Sequence, residues 1–461
     1  MKALADPANS LTRGLAAIRT RFSVPEGFPP AVLAAAEAAA GRAPTGHVDR
    51  TGRHFVTLDP ASATDLDQAF AIEQAGPDIL LHYAIADVAW FVDDGDPCDR
   101  EAWRRGTTLY LPDGKAGLYP RALSEGAASL LPDGPRPAVI FTVRVAPDGA
   151  VRLDGAERAV IRSAAKLAYD SVRDTDLPPG FAELTARLQQ AEGRRGAARV
   201  DPPEQEVAMR DDGSFALVFR PRLVSEERNA ALSLAANMAI ADVLRAHGTG
   251  LFRVMAEPDD SAIARLRQTA AAFGLHWPPM APLSQFEATL ESGDPKQAAF
   301  MLAVRRAGQG ASYQSFQPGI VPWHAAVAAS YAHATAPLRR LADRYVIRAT
   351  LAVANGQKVP GAVTEAFDKL PAVMARADAI GGQIDRAVID LAEAVMLQGR
   401  EGETFAAIVT DADDRGARIQ LRNLPIVTRL TIGGAEPGDT VTVRLVAADP
   451  ERQRLSFEGA T

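Results

Sequence analysis

The most informative stretch of the chain is Thr57-Leu-Asp59-Pro-Ala-Ser-Ala-Thr-Asp65-Leu-Asp67-Gln68-Ala-Phe70, which lies between two hydrophobic runs that predict strands at 55–58 and 69–72. Side chains alternate along an extended chain, so Asp65 and Asp67 share one face, and the turn after Asp59 can fold the first carboxylate back toward them. Converging hard oxygen ligands suit Mg²⁺ or Mn²⁺. The stretch therefore predicts a metal site suited to phosphodiester hydrolysis. An ordinary acidic loop has the same spacing, so the alternative stays open.

Beyond this stretch the chain first continues in a β pattern and then becomes mostly helical. Residues 79–86 predict a further strand after the turn at 76–78, and residues 139–145 and 151–153 predict a hairpin around 147–149. From about 163 to 400 the pattern is mostly helical, interrupted by a loop at 308–320 rich in Gly, Gln and Ser.

The two ends of the chain differ from its middle. A short helix is predicted at 30–41, with Pro30 at its start and Gly41 at its end. Five short β runs at 403–410, 416–421, 425–431, 440–447 and 453–458 suit a small OB-type barrel, although an SH3-like barrel has nearly the same pattern. We therefore predict an α+β multidomain protein with domains at 1–48, 49–400 and 401–461.

Length, charge and cysteine content narrow the possible classes of protein. A chain of 461 residues is too long for one compact core. Its net charge of −7 argues against a protein that coats nucleic acid non-specifically, but leaves room for a local basic channel. The single cysteine, Cys98, excludes an internal disulfide and a thiolate metal cluster. No apolar run predicts a membrane span, and the N-terminus lacks the pattern of a secretory signal. We expect a cytoplasmic protein and, by default, a monomer.

The acidic stretch resembles the signature of the ribonuclease II/ribonuclease R (RNB domain) family, in which four aspartates surround the metal. Asp59, Asp65 and Asp67 match the first three aspartates, and Gln68 stands where the family has the fourth. A glutamine offers a neutral carbonyl oxygen but no charge. We therefore expect the glutamine to weaken the binding of metal at one site.

Further blocks that are similar to the family follow in the family's order, at 82–89, 106–112, 118–125, 128–132, 161–170, 226–237, 251–254, 331–344 and 384–388. The resemblance covers about residues 50–400. It implies an RNB catalytic domain, with a mixed sheet surrounded by helices, followed by an S1-like OB barrel. The family's paired cold-shock domains do not fit into about 48 residues. We therefore expect a short form that lacks them and has a small N-terminal helical element.

The resemblance also implies an activity and a set of site residues. The activity is 3′→5′ hydrolysis of single-stranded RNA with a free 3′ end, releasing 5′-nucleoside monophosphates. Asp59, Asp65, Asp67 and Gln68 are the expected ligands of Mg²⁺, with Mn²⁺ as a possible substitute. Asp67, Asp65 and Arg339 are the expected catalytic residues, because Arg339 matches the arginine that lies at the scissile phosphate in the family.

Contacts with RNA are expected from Tyr110, Arg340 and Thr335. Tyr110 matches the tyrosine that packs on the 3′-terminal base, and its competing interpretation is a buried core tyrosine. Phe252, His82 and His333 are better explained as structural residues. In the C-terminal segment, Arg418, Arg422 and Arg429 either grip RNA or frame the entry to the channel.

Two other functions remain open from the sequence. Gln68 and the negative net charge favour a catalytically inactive RNA-binding or regulatory protein. The three aspartates and Arg339 argue against that reading. An unrelated metal phosphodiesterase that acts on small nucleotides would be recognised by a preference for dinucleotides over longer RNA.

Overall fold

The computed structural model describes residues 9–197, 204–209, 215–220, 222–291, 294–308, 310–413, 416–422, 424–431, 434–436 and 438–460. Within these ranges the helices are α1 (Ser10–Arg21), α2 (Pro30–Ala40), α3 (Val88–Phe91), α4 (Pro97–Arg105), α5 (Phe181–Arg195), α6 (Val224–Ala246), α7 (Asp260–Ala272), α8 (Leu283–Glu287), α9 (Pro295–Ala307), α10 (Leu341–Ala354) and α11 (Gly361–Leu397). The strands are β1 (Val48–Asp49), β2 (Phe55–Asp59), β3 (Gln68–Ala75), β4 (Asp78–Ala86), β5 (Leu109–Leu111), β6 (Gly114–Ala116), β7 (Pro135–Val145), β8 (Val151–Ala168), β9 (Glu204–Met209), β10 (Phe215–Arg220), β11 (Leu251–Val254), β12 (Ser312–Ser315), β13 (Thr404–Asp413), β14 (Gly416–Leu421), β15 (Val427–Leu430), β16 (Thr440–Asp449) and β17 (Arg454–Gly459).

The main sheet has the strand order β1-β8-β2-β3-β4-β7 among the described residues, and β8 also pairs with β7. The first part of β8 runs antiparallel to β7, and its last part runs parallel to β2. The strands therefore form a closed circuit from β2 through β3, β4, β7 and β8 back to β2. This arrangement confirms the predicted mixed sheet with helices around it.

Strand β8 corrects the helical pattern predicted from about residue 163. The strand continues to Ala168, and Ala159, Ile161 and Ser163 are buried at alternate positions. Alanine-rich sequence favours a helix locally, but pairing with β2 and β7 decides the conformation here. Strand β12 likewise corrects the loop predicted at 308–320. Its four residues pair with β11 and are mostly polar, so they show no hydrophobic alternation.

Helices α6 and α10 pack against β8, and α11 packs against α1, α10 and β12. With 37 residues, α11 extends over about 55 Å at the helical rise per residue. The buried face of this helix therefore contacts several parts of the chain along its length. Among the described residues, no helix combines the length and the apolar run needed to cross a bilayer.

The N-terminal residues form two helices, of which only α2 was predicted. Leu11, Leu15 and Ile18 of α1 are buried in one cluster with Ile384 and Leu391 of α11. A Cβ added at Gly14 would lie 2.5 Å from the Leu391 side chain, so the two helices approach closely at a glycine. Helix α2 buries its apolar face in the main core. Both helices thus share cores with the rest of the chain, and the domain boundary at 48 stays a prediction.

The C-terminal strands form an antiparallel sheet of order β15-β14-β13-β16-β17 within the described residues. Strands β15 and β17 lie close together, so the sheet nearly closes into a barrel. The predicted OB-like barrel is confirmed. Its core includes Val409, Ile419 and Val443, together with Leu397 from the end of α11. The helix thereby joins the barrel to the larger part of the molecule, and the boundary at 400 stays a prediction.

Candidate active site

The acidic loop, residues 59–68, joins the end of β2 to the start of β3. Ser129 fastens the loop from one side: its Oγ donates to the Thr64 carbonyl and accepts from the Leu66 N–H, both at 2.8 Å. Lys166 of β8 fastens it from the other side, where Nζ donates to the Ala61 carbonyl at 2.8 Å. The side chains of Ser129 and Lys166 therefore hold the backbone of the loop at several points, which fixes the carboxylates that it carries.

Asp67 is buried and contacts the block at 331–344, which is called the second motif below. Its Oδ1 accepts from the Leu338 N–H at 2.7 Å, and its Oδ2 lies 3.7 Å from Nε of Arg339. Its own carbonyl accepts from the Ala86 N–H of β4. Burial raises the pKa of Asp67 to about 8, against the opposing effect of the Arg339 charge. When ionised, a carboxylate this buried is stabilised by a nearby cation, here the Arg339 guanidinium.

Asp59 has the open oxygen of the cluster. Its Oδ2 is buried and lacks a hydrogen-bond partner among the described residues. Burial raises the pKa of Asp59 to about 7; the charge of Lys166 opposes the rise and that of Asp65 adds to it. A buried carboxylate oxygen with no donor is costly in a folded protein unless it binds water or an ion.

Asp65 and Gln68 both have protein partners. Asp65 Oδ1 lies 2.8 Å from Nζ of Lys115, and Asp65 Oδ2 accepts from the Tyr110 hydroxyl at 3.2 Å. The Gln68 Oε1 accepts from the hydroxyl of Tyr83, which is fully buried. The partly buried glutamine thus contacts a core tyrosine and adds no charge where an aspartate would bring one.

Arg339 has a fixed backbone and a half-exposed side chain. Its carbonyl accepts from the Thr107 Oγ1 at 2.8 Å and from the Thr108 N–H at 3.0 Å. Its side chain is 43% exposed, and its guanidinium is directed toward Asp67. The arrangement leaves the exposed part of the side chain available to an anionic ligand at the same place as the carboxylates.

Arg340 and Thr335 are placed differently from Arg339. The Arg340 guanidinium donates to both carboxylate oxygens of the buried Asp343, at 2.9 and 2.8 Å. Thr335 is buried, and its hydroxyl contacts Ser233 at 2.9 Å and Asn237 at 3.3 Å of α6. Both side chains hold the 331–343 segment in place. Their contact with RNA stays a prediction.

Tyr110 is placed at the surface of the site, not in the core. Its side chain is 50% exposed, and its hydroxyl reaches Asp65. Phe252 is fully buried, as expected of a core residue. His82 and His333 have protein partners, Thr142 and Glu73 for the former and Tyr313 for the latter. The structure therefore brings together Asp59, Asp65, Asp67, Gln68, Tyr110 and Arg339.

Four residues with evident roles in the site were missed from the sequence. Lys115 and Lys166 neutralise or fasten the acidic loop, and Asn237 and Asp343 hold the second motif by accepting from the Ala334 and Ala336 N–H groups. Asp343 lies within the second motif, and the resemblance of that block to the family was the only indication of its role in the site. The others are single polar residues whose contacts are distant in sequence.

The donor set fits a hard divalent cation in chemistry, because it consists of carboxylate and amide oxygens with one buried oxygen left open on Asp59. Within the described part of the chain, no group of three or more His, Cys, Asp or Glu side chains is already arranged to hold a metal. Asp65, Asp67 and Gln68 are engaged by protein donors instead.

Comparison with known families gives two matches along the chain. The model of the RNB domain matches residues 48–356. The model described as the RNase II-type exonuclease C-terminal S1 domain matches residues 403–460. The first match contains every residue of the acidic loop and of the second motif.

Several relatives have names that bear on activity. Ribonuclease R 1 of Lactococcus lactis is 26% identical, over 94% of this chain and 56% of its own length. Ribonuclease R of Aquifex aeolicus is 27% identical, over 95% and 69%. Exoribonuclease 2 of Cronobacter sakazakii is 30% identical, over 81% and 61%. The chain thus matches between 56% and 69% of the length of these relatives.

Solved structures confirm the fold. RNase R of Mycoplasma genitalium, in complex with ribose methylated single-stranded RNA, matches 100% of this chain and 79% of its own with a TM-score of 0.86 at 19% identity. Yeast Ssd1, described as a pseudonuclease, matches 93% of this chain and 56% of its own with a TM-score of 0.65 at 14% identity. The same fold thus occurs in proteins with and without nuclease activity.

Proposed function

Because the chain belongs to the RNB domain family, we propose that it is an exoribonuclease that hydrolyses single-stranded RNA from a free 3′ end and releases 5′-nucleoside monophosphates. The observation that supports this best is the meeting of the two family motifs at one point. There the Leu338 N–H and the Arg339 guanidinium face the two oxygens of Asp67. The names of the relatives, ribonuclease R and exoribonuclease 2, agree with the proposal.

We propose Asp59, Asp65, Asp67 and Gln68 as the residues that would hold one or two Mg²⁺ ions, or Mn²⁺. The open buried oxygen of Asp59 supports the assignment. A bound divalent ion supplies Lewis-acid activation of water and neutralises charge on the phosphate. The acidic loop contributes by holding its carboxylates in place through Ser129 and Lys166.

Arg339 is proposed to stabilise the charge that grows on the phosphate oxygens during in-line attack. Its backbone is fixed by Thr107 and Thr108, so the guanidinium is directed to the site before substrate binds. A preorganised donor in such a position is typically worth several kcal/mol of barrier. In this proposal Arg340 and Thr335 act through the backbone of the same segment.

Tyr110 is proposed as the stacking surface for the 3′-terminal base. Its half-exposed ring lies beside Asp65, so a base on the ring would place the last phosphodiester next to the carboxylates. Stacking tolerates any base, which suits an enzyme that degrades RNA of any sequence. Arg418, Arg422 and Arg429 of the barrel are proposed as contacts to the incoming strand.

A second candidate function is RNA binding without turnover. It is favoured by Gln68, which is bonded to Tyr83 and adds no charge to the site, and by the fold shared with a pseudonuclease. The presence of Asp59, Asp65, Asp67 and Arg339 in one cluster argues against it. The division into three domains, the cytoplasmic location and the monomeric state also remain proposals.

The test is incubation of 5′-labelled single-stranded RNA with purified protein in Mg²⁺, in Mn²⁺ and in EDTA, beside the Asp67→Asn variant. We expect progressive shortening from the 3′ end in either metal, and none in EDTA or with the variant. Tight binding of RNA with no cleavage in any metal would support the second candidate. Preference for dinucleotides over longer RNA would indicate a phosphodiesterase of small nucleotides.

A further inference from the structure

Lys115 lies between two carboxylates at the edge of the acidic site. Its Nζ is 2.8 Å from Asp65 Oδ1 and 3.2 Å from Glu125 Oε1. The three side chains are only 26%, 14% and 11% exposed, respectively. An ion pair at this depth is screened less than a pair at the surface, so it persists at ordinary ionic strength.

The hairpin β5–β6 determines where Lys115 points. Lys115 is the cross-strand partner of Tyr110, so both side chains leave the same face of the hairpin. Both reach Asp65, one at each carboxylate oxygen. Glu125 is held in turn by Arg121 at 3.0 Å, which keeps the second carboxylate beside the lysine. Each carboxylate oxygen of Asp65 therefore already contacts a group of the protein itself.

We propose that Lys115 acts as a built-in cation at Asp65, which narrows the ligand set given above: the site takes one divalent ion, through Asp59 and Asp67, and not two. This inference rests on the proposed function of the site. A lysine ammonium at Asp65 fills the place that a second ion would need. Gln68 is neutral, so it adds no negative charge that would favour that ion. Among the described residues, Asp59 Oδ2 is the one carboxylate oxygen of the three aspartates that is buried and has no hydrogen-bond partner. It leaves an opening for a single ion.

The same contacts give Lys115 a positioning role. By holding Asp65 against Tyr110, it links the proposed base-stacking ring to the carboxylate cluster. Removing the ammonium would leave Asp65 and Glu125 close together without a cation between them. Two such carboxylates would attract a divalent ion strongly, because like charges at short range are costly until neutralised.

The test is calorimetric titration of Mn²⁺ into the metal-free full-length protein without RNA. We expect one ion per chain for the wild type. In Lys115→Met we expect a second ion, or binding of the first that is at least about tenfold tighter. Lys115→Arg keeps the charge and should behave like the wild type. Arg121→Met, which removes the other cation on Glu125 but none from Asp65, is the matched control and should also leave the stoichiometry unchanged.

Two results would overturn the inference: two ions of similar affinity in the wild type, or unchanged stoichiometry and affinity in Lys115→Met. If Lys115→Met fails to fold, as judged by circular dichroism, Lys115→Gln takes its place. The gain should disappear in the double variant Lys115→Met/Asp65→Asn, and its persistence there would count against the proposal. Because the readout is metal binding, failure of the RNA assay alone would refute the proposed function and leave this result standing.

Discussion

Asp67 is the residue at which the two motifs of the site meet. We predict that Asp67→Asn lowers the turnover of RNA by about three orders of magnitude or more, since an amide lacks the charge that the proposed metal site requires. The fold should survive, because the amide oxygen can still accept from the Leu338 N–H. Steady-state cleavage rates and a thermal melt check both parts. Asp133→Asn, at an exposed surface pair, is the control and should keep full activity.

Substitutions of the neighbouring arginines should change different properties: turnover for Arg339 and stability for Arg340. Arg339→Lys keeps a charge but loses the planar fork, so we expect turnover to fall about 100-fold with an unchanged melting temperature. Arg340→Lys breaks a two-bond contact with the buried Asp343. It should lower the free energy of unfolding by about 1–3 kcal/mol. Equal loss of stability in both variants would refute the distinction.

The sequence suggested the aspartates through their spacing, and it suggested Arg339 only through the resemblance to the family. The structure places these side chains near one another, and their roles stay predictions. Lys115 and Asn237 could not be predicted, because each is a single polar residue whose partner lies far along the chain. Lys115 is 50 residues from Asp65, and Asn237 is 97 residues from Ala334. Only the fold brings such pairs together.

The β5–β6 hairpin presents the ring of Tyr110 to the site. We predict that Tyr110→Ala raises KM for RNA by about 5- to 100-fold, the loss expected for one stacked base. Tyr110→Phe keeps the ring and loses only the hydroxyl bond to Asp65, so its KM should stay near that of the wild type. Steady-state cleavage rates at a series of RNA concentrations measure both KM values. Equal KM values for the alanine and wild-type proteins would indicate that the ring does not touch the base.

Helix α11 joins the barrel through Glu393. This buried carboxylate accepts from the Val427 N–H at 3.0 Å and from Gln205 Nε2 at 2.7 Å. Burial raises its pKa to about 7, with the two hydrogen bonds and Arg418 opposing the rise and Asp390 adding to it. The folded protein thus keeps a proton that the unfolded chain releases near its ordinary pKa of 4.5.

The stability of the protein should therefore fall as pH rises from about 5 to about 7, by up to about 3 kcal/mol from this group. We predict that Glu393→Gln removes this part of the decline, because its amide stays neutral and its oxygen still accepts both bonds. Chemical denaturation at several pH values measures the difference. Glu37→Gln, on the exposed face of α2, should retain the pH dependence of the wild type. Parallel curves for wild type and Glu393→Gln would contradict the assignment.

Elements with regular alternation were predictable and the rest were not. The five barrel strands follow hydrophobic alternation between clear turns, and the observed bounds lie close to the predicted ones. Strand β12 is short and polar, and the end of β8 is rich in alanine, so neither has a local signal for a strand. Both form because a neighbouring strand supplies the hydrogen bonds.

At the scale of the whole molecule, β8 closes the main sheet by pairing with β7 at one end and β2 at the other. This closure brings Lys166 of β8 to the acidic loop, and α6 brings Asn237 to the second motif. The sequence indicated a mixed sheet through its resemblance to a family, but the closure depends on long-range pairing that no local pattern encodes. The site is thus a product of the topology as much as of its motifs.

The central claim, that the molecule removes nucleotides one at a time from the 3′ end of RNA, is tested most directly by single-turnover cleavage of one RNA labelled at either end. With Mg²⁺ present, we predict that a 3′ label appears as a 5′-nucleoside monophosphate at the earliest times, while a 5′ label remains on progressively shorter products. Retention of the 3′ label on full-length RNA that is bound throughout, in Mg²⁺ and in Mn²⁺, would contradict the claim and identify an RNA-binding protein without turnover.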